Sequence, residues 1–132
     1  GIPCFADDSG LCVNALNGKP GIKSARYANE HGPVDHFLNN QKLLNELQNQ
    51  IDRSAFFVTV ICAYGFTDHP IYFKGEVHGT IAQNLSGVEG FGYDPLFIPQ
   101  GFDKTFSELG ATVKNSMSHR ANALNKMKLH FS

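Results

Sequence analysis

Two acidic side chains stand together near the start of this chain, in Phe5-Ala6-Asp7-Asp8-Ser9-Gly10-Leu11, and a basic group, Lys114 with Ser118-His119-Arg120, stands near its end. Between them lies Gly90-Phe91-Gly92-Tyr93-Asp94-Pro95. Carboxylate oxygens suit a hard cation such as magnesium, which takes one or two carboxylates, keeps several waters and completes its shell with phosphates. Phe91 and Tyr93 on a glycine frame offer ring faces to a base, where stacking contributes roughly 1–3 kcal/mol whatever the base. Lys114, His119 and Arg120 add donors near a helix start, a place that already favours anions. Together the three segments describe a pocket for a metal-bound nucleotide.

Each segment also has a purely structural reading. Asp-Asp-Ser-Gly is a frequent Asx-turn in which both carboxylates accept backbone N–H groups. The stretch from Gly87 to Tyr93 is equally a tight turn whose aromatics fill the core, and a histidine such as His119 is commonly a surface or core residue. Its spacing lacks the Gly-x-Gly-x-x-Gly pattern of a dinucleotide site. If the backbone at Asp7-Asp8 is extended, successive side chains point to opposite faces and cannot share one site. A turn at Ser9-Gly10 relaxes this, so Asp8 is expected to face the pocket while Asp7 plays a lesser part. Lys74, His36, His69, His78 and His130 sit in contexts that assign them no role.

The elements that must position these residues read as follows. Ile2 to Val13 is expected as short extended pieces around the turn signal Asp7-Asp8-Ser9-Gly10, and Asn17 to Gly21 as a loop. Val34 to Ile51 places Phe37, Leu38, Leu43, Leu44, Leu47 and Ile51 at helical spacings, with Asp35 suited to cap the first turn. Ala55 to Phe66 is almost continuously apolar and β-branched or aromatic, which predicts a strand covered on both faces. Ile71 to Val77 alternates, with Thr80-Ile81 continuing it past a break at His78-Gly79. The short connection Thr67-Asp68-His69-Pro70 predicts an antiparallel hairpin. Leu96-Phe97-Ile98 follows the glycine-rich stretch, before the loop Pro99-Gln100-Gly101. A second helix is expected from about Ser116 to Met127, with Ala121, Leu124 and Met127 on one stripe. The pattern is a mixed α/β single domain over residues 1–132, with a substantially antiparallel sheet.

Bulk properties narrow the class. At 132 residues, with 42% hydrophobic and 17% charged side chains, the chain can bury one real core. A net charge of −1 gives no footprint for nucleic acid or for an anionic membrane. No apolar run reaches the length of a membrane span, and the expected compartment is the cytoplasm. Cys4, Cys12 and Cys62 lack metal-ligand spacing and read as reduced, mostly buried thiols.

In combination and order, FADDSGLCVNALNGKPGIKSARYA, GFGYDPLF and KNSMSHRANAL resemble the inosine triphosphate pyrophosphatase family. The resemblance extends through Gln41-Lys42-Leu43-Leu44 and Gly75 to Gly79, over essentially the whole chain. It implies a homodimeric enzyme with an elongated, two-lobed mixed α/β fold. Such an enzyme uses magnesium, or manganese in its place, to convert ITP, dITP and XTP to the monophosphate and pyrophosphate, cleansing the nucleotide pool. Asp8 matches the family's metal-binding acid and proposed general base, with Asp7 as a second acid beside it, and Ser9 matches a substrate contact. Phe91, Gly92, Tyr93 and Asp94 match the strip along base and sugar. Lys114, His119 and Arg120 match the cluster around the base and its 6-oxygen.

One departure stands beside this. The family's Thr/Ser-x-x-Asn-x-x-Lys phosphate loop, and the helix with a Glu and a Lys that follows it, have no match here, so the resemblance implies a chain lacking the family's N-terminal third. Without them triphosphate is expected to bind poorly, and an apolar surface or exposed sheet edge is expected. The alternative function is therefore an inactive nucleotide-binding or dimerising module of the same fold.

Overall fold

Asp7, Asp8, Ser9 and Gly10 lie inside a strand. The computed structural model describes residues 4–21, 23–65, 68–86, 92–117 and 119–131, apart from the side chains of Cys4, Phe5, Asp7 and His119. In it β1 (Cys4–Val13) runs unbroken and pairs antiparallel with β3 (Ser54–Tyr64), from Cys4 opposite Tyr64 to Val13 opposite Ala55. The expected turn is corrected: a long ladder outweighs local turn chemistry, since each added pair satisfies backbone groups that a turn leaves to the side chains. Gly10 has another reason to be glycine. A Cβ there would meet the Gly21 carbonyl oxygen at 2.5 Å, where the next strand crosses closely.

That next strand replaces part of the expected loop. Asn17 and Gly18 turn the chain with φ of 58° and 86°, and β2 (Lys19–Gly21) folds back antiparallel onto Leu11–Val13. β4 (Ile71–Ile81) forms the expected antiparallel hairpin with β3 and continues through His78-Gly79 without a break. A Cβ on Gly79 would sit 2.2 Å from the Ile98 carbonyl oxygen, so this glycine admits the close approach of β5 (Phe97–Pro99). The sheet order is β2-β1-β3-β4-β5, antiparallel throughout. The mixed α/β class holds.

The helices begin where their caps allow. Asp35 accepts a hydrogen bond from the Leu38 N–H at 3.0 Å and opens α1 (His36–Glu46), as expected. The helix stops short of the expected end, with Asn49 left-handed and Ile51 fully exposed. A short helix, α2 (Phe106–Leu109), was not expected; Thr105 and Glu108 cap it reciprocally. The expected C-terminal helix is instead α3 (Ala111–Met117) and α4 (His119–Phe131). On α4 it is Ala123 that is fully buried, with Met127 partly so, while Leu124 is exposed, one step round from the expected stripe.

Strand alternation gives the sheet two unlike faces. One carries Leu11 and Val13, then Ala55, Phe57, Ile61 and Ala63, then Phe73, Val77 and Ile81, all buried. Leu43 of α1 and Leu47 at its C-terminal cap, with Tyr93, Leu96, Phe97 and Phe106, join one end of this face, while Ala123 and Met127 of α4 join the other. The opposite face carries Asp8, Cys12, Phe56, Val58, Val60, Tyr72, Lys74 and His78, half-buried or exposed. Coverage of β3 on both faces is thus corrected: its apolar side chains require a cover, but their sequence does not say whether the described chain supplies it. Among the described residues β2 pairs only with Leu11–Val13, so Cys4–Gly10 of β1 form an open edge. The expected exposed edge is therefore present.

Candidate functional site

The glycine-rich strip enters the description at Gly92, whose φ of +61° is easy for glycine and strained for most residues. Tyr93 follows, only 5% exposed, packed in the larger core cluster. Its hydroxyl donates to the Ser24 carbonyl at 2.6 Å. Burial pushes that hydroxyl well above the usual tyrosine range, so it stays a protonated donor. For Tyr93 the core-filling reading of the sequence is the one the geometry takes. Phe91, the other aromatic of the strip, lies outside the described residues.

Asp94 is equally buried, and its Oδ2 accepts from Lys114 Nζ at 2.6 Å. Lys114 stands in the second turn of α3 and is about a third exposed, so its ammonium meets Asp94 on one side and solvent on the other. The Asp94 carbonyl also accepts from Ser107 N–H of α2 at 3.2 Å. The structure therefore brings Gly92, Tyr93, Asp94 and Lys114 into one corner, walled by α1, α2 and α3. The backbone of His119 opens α4, and Arg120 beside it is exposed.

Residues that the sequence did not single out hold this corner. Asn39 accepts from Ala28 N–H at 2.8 Å and donates to the Ala25 carbonyl at 2.8 Å. Asn40 donates to the Gly92 carbonyl at 3.0 Å. Ser24 Oγ accepts from Leu11 N–H at 2.9 Å and donates to the Gly21 carbonyl at 2.6 Å. A signal for Asn40 was available. It lies three and seven residues before Leu43 and Leu47, on the apolar stripe of α1, where a polar residue is out of pattern.

Asp8 is elsewhere. It is exposed and sits on the face of β1 opposite Leu11 and Val13, beside an unpaired strand edge. Ser9, on the covered face, shares a 2.9 Å hydrogen bond with the wholly buried Thr59. With Gly75 across from Thr59, this row forms a polar seam between the two apolar clusters. Asp7 keeps its place in the ladder opposite Ile61. An exposed carboxylate fits a magnesium ion that draws most of its ligands from water and phosphate. It does not amount to a preformed cage, for no group of three His, Cys, Asp or Glu clusters among the described residues. Cys12 and Cys62 are free thiols, and burial raises the Cys12 pKa, consistent with inert side chains.

The Ham1 family profile matches residues 1–130. A dITP/XTP pyrophosphatase of Clostridium perfringens is 52% identical over 126 residues, covering 94% of this chain and 61% of that protein. One of Flavobacterium johnsoniae is 46% identical over 127 residues, covering 96% and 65%. Among solved structures, the Staphylococcus aureus Ham1 protein superposes with a TM-score of 0.92 at 47% identity, covering 98% of this chain and 66% of that one. A HAM1 protein from Coxiella burnetii gives 0.91 at 38%, covering 99% and 68%. No described helix is long and apolar enough to cross a membrane. The chain spans 61% and 65% of the length of those two curated relatives.

Proposed function

The chain belongs to the Ham1 family, and from that premise we propose that it acts in hydrolysing non-standard purine nucleoside triphosphates (ITP, dITP and XTP) to the monophosphate and pyrophosphate. The observation that carries this reading is similarity along nearly the whole chain to proteins named for dITP and XTP. The corner geometry supports it. A lysine held by a buried carboxylate, next to a left-handed glycine and a core-anchored tyrosine, makes a rigid wall for a flat ligand.

In this proposal Asp8 holds the magnesium ion, for which manganese can substitute, and takes the proton of the attacking water; Asp7 plays a lesser part. Bound magnesium neutralises phosphate charge and lowers the pKa of a coordinated water. Phosphoanhydride cleavage needs little beyond such positioning and neutralisation. Ser9 is assigned a substrate contact by its match to the family, although its hydroxyl lies on the face of β1 opposite Asp8 and is held by Thr59. Phe91 and Gly92 line the base, with Tyr93 fixing the strip from within. Lys114, His119 and Arg120 present donors to the 6-oxo group of hypoxanthine or xanthine. Adenine, with an amino group there, leaves such a donor unpaired at a cost of about 1–3 kcal/mol. A homodimer working in the cytoplasm completes the reading.

The exposed position of Asp8 and the open edge beside it favour a second reading, in which this chain binds nucleotide or dimerises without turning it over. Pyrophosphate release from ITP, dATP and GTP, with and without magnesium, separates the two. Metal-dependent turnover selective for ITP is the expected result. A folded protein that binds ITP and releases no pyrophosphate favours the second reading, and turnover without regard to the base sinks the substrate assignment.

A further inference from the structure

We propose that Asn40 is a positioning residue for base recognition, setting the strip from its Gly92 carbonyl; the inference rests on the assignment of Gly92 to Asp94 as the wall along the base. Three tethers fix that strip. Tyr93 reaches Ser24 with its hydroxyl, Asp94 is bound through its own carbonyl by Ser107 N–H, and Gly92 is bound by Asn40. Among the described residues Asn40 is the side chain that reaches Gly92, the point where the backbone is left-handed and where the strip has no side chain of its own. Glycine is the residue with the widest conformational choice. Its orientation at that point therefore depends on what grips its carbonyl.

The orientation of the amide is set by chemistry. Its nitrogen lies between two carbonyls, His36 O at 2.7 Å and Gly92 O at 3.0 Å, so the donor must face both. The oxygen then points to the other side, buried, with no hydrogen-bond partner among the described residues. Asn40 is 3% exposed. A buried amide with an orphaned acceptor costs stability, and leucine, which has the same branching, is the residue that the stripe of Leu43 and Leu47 calls for. Packing therefore argues against asparagine at this place. What asparagine supplies and leucine does not is the donor, which ties the strip at Gly92 to the His36 carbonyl of α1.

A role in packing and a role in positioning predict opposite outcomes for Asn40→Leu in the full chain. Positioning predicts a thermal midpoint equal to or above that of the parent, a KM for ITP raised about fivefold to tenfold, and a reduced preference for ITP over dATP. Asn40→Asp keeps the shape and loses the donor, so its KM and preference shift the same way. Leu43→Ala, from the same stripe, loses stability and keeps its base preference. Hydrogen exchange gives a readout independent of turnover: the amides of Leu96 and Phe97, both bonded to the Tyr93 carbonyl, lose protection in both Asn40 variants. Unchanged KM, preference and protection in folded Asn40→Leu and Asn40→Asp overturn the inference. If the parent does not distinguish ITP from dATP, the substrate reading falls, and the exchange result alone decides whether Asn40 sets the strip.

Discussion

The corner around Tyr93, Asp94 and Lys114 and the β1 segment around Asp8 are built in opposite ways. In the corner, Gly92, Tyr93 and Asp94 meet polar partners drawn from α1, α2, α3 and Ser24. Asp8 makes no side-chain hydrogen bond or ion pair among the described residues and faces solvent from an open strand edge. The corner is preorganised by the chain's own contacts. The acidic segment becomes a site only when other oxygens, from phosphate, water or further protein, come to it. Under the proposed assignment, recognition of the base and chemistry at the phosphate are separable. The first is specified locally and the second is assembled on demand.

The largest test of this contrast is Asp8→Asn. Removing the carboxylate proposed to hold the metal and accept the proton is expected to lower ITP turnover by about a thousandfold or more. Because Asp8 is exposed and makes no side-chain bond among the described residues, the same change should alter the unfolding free energy by no more than about 0.5 kcal/mol. Loss of stability comparable to the loss of activity breaks the contrast, since Asp8 would then be part of the framework.

Lys114→Met reverses the pattern and follows in size. It takes the ion-pair partner Lys114 away from the buried Asp94 carboxylate. Full burial of both partners would make this cost 3–5 kcal/mol, but Lys114 meets solvent, and about 2–3 kcal/mol is expected in urea unfolding. Adding Asp94→Leu should recover most of that loss while base preference stays impaired. A single-variant cost under about 0.5 kcal/mol means that the corner does not depend on its ion pair.

How far the sequence foretold these two regions follows the same division. Signals that act within a few residues were legible: Asp35 as the cap of α1, and the β3–β4 hairpin with its short connection. The capping pair Thr105 and Glu108 was equally local, an S/T-x-x-E pattern present in the sequence, and it marks the unexpected α2. Features that depend on a distant strand were not legible. Gly10 and Gly79 read as turn or break, yet each is glycine because another backbone passes within van der Waals distance. The apolar second face of β3 announced a need for cover, with nothing to say where the cover comes from. For the site, residue types pointed to Asp94 and Lys114 but gave no hint that each is the other's partner. Asn40 was visible as a polar interruption of the α1 stripe, although its target, 52 positions away, was not.

Ser9 carries the smallest effect and belongs to neither region, which makes it the measure of their independence. Its hydroxyl pairs with Thr59, wholly buried in the seam between the two apolar clusters. Ser9→Ala leaves the Thr59 hydroxyl without that partner, a loss of about 1 kcal/mol. Thr59→Val in the same background removes the stranded hydroxyl and should restore most of it. Turnover supplies the second coordinate. If base wall and acidic segment are separate, Ser9→Ala leaves the preference for ITP over dATP intact while KM rises for both nucleotides by the same factor. A change in preference would mean instead that the seam transmits the set of one region to the other. The double variant then decides the route: preference restored along with stability assigns the transmission to packing around Thr59, and preference still altered assigns it to the Ser9 hydroxyl on the nucleotide.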